Sequence, residues 1–60
     1  MTPGAAVDSA AKLTGAVHGA LVTMVVKRKI SRSGLEQAVK DLEEALSLIR
    51  SALSGEGGPG

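Results

Sequence analysis

Two stretches of apolar residues with helical spacing dominate the chain. In the second stretch the large apolar residues recur at intervals of four and three positions, the heptad pattern of a helix that packs along one face. These residues, which we call the leucine seam, are Leu35, Val39, Leu42, Leu46, Ile49 and Leu53. Alanines at positions 38, 45 and 52 repeat beside the seam, and small residues let another helix approach closely. The pattern predicts a helix over residues 33–54.

Local signals mark both ends of this second helix. Ser33 and Glu36 form the Ser-x-x-Glu spacing of a capping box, in which each residue bonds a free backbone N–H of the first turn. Residues 55–60 are rich in glycine, which disfavours a helix. We therefore predict that helix 2 begins at residue 33 and that residues 55–60 form a disordered tail.

The first stretch predicts a helix over residues 4–29, with Thr2 as its N-cap and Pro3 in its first turn. Its apolar residues fall on two neighbouring stripes, which together cover about 200° of the helix, against about 100° for an ordinary surface helix. Such a helix needs two or more packing partners. The first stripe contains Ala6, Ala10, Leu13, Val17, Ala20, Leu21 and Met24, and the second contains Val7, Ala11, Thr14, His18, Val22 and Val25.

Residues 21–26 also allow a second interpretation. They are rich in β-branched side chains, which favour a strand. A strand followed by helices would indicate a DNA-binding dimer of the ribbon-helix-helix type. That fold needs two helices after the strand, whereas here a single uninterrupted heptad helix follows. The helix is favoured and the strand stays open as the alternative.

Size and composition indicate that the chain folds with a partner. Sixty residues without cysteine or aromatic side chains have neither disulfides nor large core residues, and a single histidine makes a structural zinc site implausible. We predict an all-α antiparallel helical hairpin over residues 1–54, with a short loop at residues 30–32, that pairs as a homodimeric four-helix bundle. The leucine seam would form the dimer or partner interface together with Leu13, Val17, Leu21 and Met24.

Four of the seven basic residues lie close together at Lys27, Arg28, Lys29 and Arg32. Such a cluster is a candidate phosphate-binding site for nucleic acid, and less favourably for a membrane surface. The alternative interpretation is purely structural: cations at the end of a helix complement its dipole.

The apolar run at residues 13–26 would span about 21 Å as a helix, short of the roughly 30 Å hydrocarbon core, which indicates a buried helix.

No pattern in the chain indicates catalysis. His18 has no acidic residue one helical turn away, and there is no nucleophile–base pair or phosphate-binding glycine loop. We expect no enzyme activity, no metal, no cofactor and no small-molecule substrate.

Gly15 and Gly19 have the spacing of a close helix contact. The sequence thus favours a cytoplasmic protein–protein interaction, adaptor or assembly module that dimerises, with a nucleic-acid-binding dimeric regulator as the alternative.

Overall fold

The protein is a two-helix hairpin. The computed structural model of the chain describes residues 2–57, in which α1 (Pro3–Lys27) and α2 (Arg32–Gly57) pack against each other. The helices run antiparallel, because Met24 lies beside Gly34 near the turn and Pro3 lies beside Gly55 at the far end. Residues 21–26 belong to α1, so the helix prediction is confirmed there and the strand alternative is wrong.

Helix α1 begins where the sequence predicts. Thr2 is its N-cap, and the Thr2 Oγ1 accepts a hydrogen bond of 3.2 Å from the backbone N–H of Ala5. Pro3 occupies the first helical position, where its missing N–H leaves no bond unmade and its fixed φ suits the helix. The two residues thus define this helix end locally.

Helix α1 ends at Lys27, two residues before the predicted boundary, because Arg28 adopts the left-handed conformation with φ 55° and ψ 39°. The Arg28 N–H donates to the Val25 carbonyl at 3.2 Å, and the Lys29 N–H donates to the Met24 carbonyl at 3.0 Å. This pair of bonds is the Schellman arrangement, which usually places glycine at the left-handed residue. An arginine in that position costs roughly 1 kcal/mol.

The N-cap of α2 lies two residues before the N-cap of the predicted capping box. Its cap is Ser31, whose Oγ accepts a hydrogen bond of 3.1 Å from the Gly34 N–H, while Ser33 already lies in the first turn. The predicted capping box at Ser33 and Glu36 is therefore wrong. Both serines are suitable N-cap residues, and in the structure Ser31 is the N-cap. The helix continues to Gly57, beyond the predicted end at residue 54, and residues 58–60 lie outside the described residues.

Small side chains fill the contact between the helices. We call this contact the alanine interface. Among the described residues, no large side chain is completely buried in this contact. Small residues bring the helix backbones close together and leave little room between them. Its buried members are Ala6, Ala10, Val17 and Met24 on α1 and Ala38, Ala45 and Ala52 on α2. The result is an elongated body of 48 × 15 × 13 Å.

Candidate interaction surface

The leucine seam of α2 lies to one side of the contact with α1. Its six side chains are between 40% exposed, at Leu35, and 71% exposed, at Leu53. At about 100° per residue, the seam lies on average roughly 80° around α2 from the line of Ala38, Ala45 and Ala52. The largest apolar side chains of α2 therefore form a side wall of the hairpin, although they are the natural core residues of a heptad helix.

The second stripe of α1 is exposed as well, with Val7 at 54%, Val22 at 44% and Val25 at 70%. This stripe lies about 100° around α1 from the buried residues, in the same rotational sense as the leucine seam on α2. In an antiparallel pair of right-handed helices, equal rotations from the line of contact bring residues to the same side. The stripe and the seam consequently share one side of the hairpin.

The opposite side of the hairpin supports this assignment. A shallow groove runs there between the helices, lined by Ser9, Lys12 and Leu13 of α1 and by Glu44, Ser47 and Leu48 of α2. On both helices these residues are rotated the other way from the alanine interface. The hairpin thus has one mixed, mostly polar side and one apolar side.

We call the apolar side the leucine face. It consists of the leucine seam together with Val7, Thr14, His18, Leu21, Val22 and Val25. The large apolar side chains of the face lie along the whole length of the hairpin, and exposed contiguous apolar surface of this kind marks an interaction site. No charged residue lies within the face. Its outer edge on α2 carries Glu36, Glu43 and Arg50, at heptad spacing.

The predicted interface residues divide between two places. The whole leucine seam lies on the leucine face, and Leu21 lies at its inner edge with 38% exposure. Val17 and Met24 are instead buried between α1 and α2 of the same chain, and Leu13 is half-buried beside the polar groove. The structure therefore brings the seam and Leu21 together on one surface and uses the other three residues inside the hairpin.

Sequence reasoning missed two features of the packing of α1 against α2. Leu48 is half-buried against α1, and its spacing from Ala45 and Ala52 is the three-and-four signal that could have indicated this. Gly34 is the glycine at a close approach, because a Cβ added there would come within 2.5 Å of the Met24 Cε. Gly15 and Gly19, expected to make such a contact, have nothing within 4 Å of an added Cβ in the described chain.

The basic residues lie at the turn between the helices, and all four are exposed. Arg32 makes an exposed ion pair of 3.6 Å with Glu36. Among the residues that the structure describes, Lys27, Arg28 and Lys29 form no ion pair with an acidic side chain. The turn therefore concentrates positive charge at one end of the hairpin.

Helix α1 is long and apolar enough, by length and composition alone, to cross a membrane. Its 25 residues extend about 37 Å at 1.5 Å per residue, which is longer than the apolar run at residues 13–26 alone. The core helix of a soluble protein passes the same test. Two charged residues of α1, Asp8 and Lys12, pair with each other at 3.3 Å on its exposed surface.

The chain was compared with family models, with curated proteins and with solved structures, and no match was found. Within residues 2–57, no three His, Asp or Glu side chains come together as a group that could hold a metal ion. The leucine face and the basic turn are the two surfaces on which a function can be argued.

Proposed function

We propose that the protein is a dimerising interaction module, in which two hairpins pair through their leucine faces as a four-helix bundle. The observation that carries this proposal is the exposure of the entire leucine seam on the same side as the second stripe of α1. Each helix then has two packing partners: the other helix of its own chain along the alanine interface, and the second copy along the leucine face. This arrangement matches the wide apolar arc of α1.

The surface area of the hairpin supports a partner of this size. A compact monomer of 6.0 kDa exposes about 3,600 Å², and this chain exposes 4589 Å². The excess, on the order of 1,000 Å², reflects the elongated shape of the hairpin, which leaves whole sides of both helices exposed. A standard interface buries roughly 800 Å² per partner. A body 48 Å long and 15 Å wide offers a face on the order of 700 Å². One second copy therefore covers the face.

The energetics of the two interfaces point in the same direction. Five of the seven buried side chains are alanines, each contributing about 0.8 kcal/mol when its methyl group leaves water. A leucine or isoleucine contributes about 1.5–3 kcal/mol when it is fully buried. The leucine face thus holds a large share of the apolar surface of the chain, and its exposed part contributes free energy only when that face is covered.

Sedimentation equilibrium of the purified chain tests the proposal. We expect the mass of a dimer at micromolar concentration, and a melting temperature that rises with concentration. Leu42→Glu places a charge in the centre of the face and should abolish the dimer. Ser47→Glu makes a comparable change on the polar side and should leave the dimer intact. A folded wild-type monomer at micromolar concentration would overturn the proposal, as would a chain that is monomeric in buffer and co-sediments with lipid vesicles.

The basic turn supports a second candidate function, which is binding to nucleic-acid phosphates. The specific observation is that Arg28 occupies a left-handed position that glycine would fill without strain, beside two lysines that form no ion pair with the described acidic side chains. Backbone strain is often kept where a side chain has a role. A gel shift at low salt tests this function. Lys27→Ala with Lys29→Ala should weaken binding and reduce its salt dependence, whereas Lys12→Ala with Lys40→Ala removes the same charge elsewhere and should not.

A further inference from the structure

The leucine seam has the same spacing and similar side-chain shapes in both chain directions. Its positions are symmetric about residue 44: Leu35 mirrors Leu53, Val39 mirrors Ile49, and Leu42 mirrors Leu46. Each pair matches in shape as well, because leucine meets leucine and a β-branched residue meets a β-branched one. Residue 44 also lies at the middle of α2, which extends from Arg32 to Gly57. A seam of this kind is complementary to a second copy of itself in the antiparallel direction.

The charged positions along the edge of the seam are evenly spaced about residue 43, next to the centre of the seam. In heptad terms, Glu36, Glu43 and Arg50 each follow the seam on the side away from α1, and in antiparallel helix pairs such edge positions meet one another. Glu36 of each chain then lies opposite Arg50 of the other, which makes two favourable pairs. Glu43 approaches its own copy near the centre, an unfavourable contact that partly offsets them. Charges at these positions determine partner orientation.

We propose, on the basis of the dimer proposed above, that α2 pairs antiparallel with α2 of the second copy, about a two-fold axis level with residue 44. Helix α1 then lies over α1 of the second copy. The two basic turns are at opposite ends of the bundle, separated by about the length of α2, which is roughly 39 Å for 26 residues. Each turn would consequently meet a phosphate-bearing partner on its own.

The other two-fold arrangement does not use the symmetry of the seam. It places α2 over α1 of the second copy, with both basic turns at the same end. The proximity of Met24 to Gly34 and of Pro3 to Gly55 shows which residues are level in the hairpin. At those levels Glu36 and Glu43 would lie beside the uncharged Val22 and Gly15 of the second copy, and Arg50 would lie beside Asp8. Each arrangement therefore has favourable charge pairs, and the symmetry of the seam favours the antiparallel α2 pair.

Single cysteines distinguish the two arrangements, since the chain contains no cysteine of its own. Glu43→Cys places a thiol near the proposed axis, and Glu44→Cys is the matched control, at the same height but on the polar side. Lys29→Cys reports on the turns. Each variant is first checked for dimer mass under reducing conditions, and the rate of disulfide-linked dimer formation is then measured at micromolar concentration.

We expect Glu43→Cys to cross-link about a hundredfold faster than Glu44→Cys and Lys29→Cys, because thiols held together in a dimer have an effective concentration on the order of millimolar. A dimer that cross-links fastest at Lys29→Cys, or equally at residues 43 and 44, would overturn the antiparallel pairing and leave the proposed dimer standing. A monomer before oxidation would overturn the proposed dimer itself.

Discussion

On α2 the residues of the alanine interface and those of the leucine face lie on average about 80° apart around the helix, and they differ in burial. Ala45 is 2% exposed, while its neighbour Leu46 is 50% exposed. In a single chain, then, the less hydrophobic side chain is the buried one. Close approach of two helices selects small residues, and the large residues remain for a surface where another chain can interdigitate with them. Burial follows from shape as well as from hydrophobicity.

The largest expected effect comes from truncating the leucine face. Leu46→Ala removes two side chains from each proposed dimer. Leu46 is 50% exposed in the hairpin, so about half of the 2–5 kcal/mol for each buried leucine concerns the dimer. The dimer should weaken by at least about 2 kcal/mol, roughly thirtyfold in dissociation constant. Sedimentation equilibrium over a concentration series measures this. Leu48→Ala makes the same change beside the groove on the polar side and should lower the melting temperature with little change in dissociation constant. Equal dissociation constants for wild type and Leu46→Ala would refute the role of the face.

The next effect comes from enlarging the alanine interface. Ala45→Leu keeps a high helix propensity but forces the helices apart, and overpacking of this kind costs about 1–3 kcal/mol. At roughly 4–8 °C for each kcal/mol, the melting temperature measured by circular dichroism at a fixed concentration should fall by about 5–20 °C. Ser47→Leu adds the same side chain at an exposed position and should change it little. An Ala45→Leu chain as stable as wild type would mean that the helices are not closely packed there.

A smaller effect is expected at the turn, which belongs to neither surface. Arg28→Gly removes the strain of a left-handed arginine and should stabilise the chain by up to about 1 kcal/mol. Lys29→Gly is the control, because Arg28 has the only positive φ among the described non-glycine residues. A glycine at residue 29 gains no relief of strain and should be destabilising. The two thermal unfolding curves should shift in opposite directions, and a loss of stability in Arg28→Gly would argue against the observed conformation.

The smallest effect is expected at the charged edge of the leucine face. Glu36→Arg would turn the two attractive pairs of the proposed antiparallel dimer into repulsive ones, and exposed pairs contribute about 0.2–1 kcal/mol each. The dimer should weaken a few-fold at low salt, and adding Arg50→Glu to the same chain should restore it. Glu44→Arg makes the same charge change on the polar side and should have no such effect. Failure of the double variant to recover would exclude the opposition of Glu36 and Arg50.

Much of the fold was predictable because its signals are local. Thr2 and Pro3 define the start of α1 through bonds within one turn, and the three-and-four spacing of the seam is sufficient to indicate a helix. The caps near the turn were less predictable. Ser31 and Ser33 are both good N-cap residues, and Arg28 is an unusual residue for a left-handed position. Which residue caps each helix depends on how the chain reverses direction between two packed helices.

The candidate surface was predictable in composition but not in location. The seam was identified as an interface from its spacing, whereas Val17 and Met24 were assigned to the same interface and are used inside the hairpin. A helical wheel places residues on faces, but it contains no information about which face the neighbouring helix covers. That choice depends on the distance between the helix axes, which the opposing side chains of both helices set together.

By itself, the sequence determined that this chain forms two helices joined by a short turn and that its apolar residues exceed what one pair of helices can cover. Periodicity and helix caps act over one or two turns, so they can be recognised without knowledge of the rest of the molecule. Only the tertiary structure decided that the alanines lie between the helices and that the leucine seam lies outside, on the same side as the second stripe of α1. Packing of two helices is a property of both surfaces together, and neither helix specifies it alone.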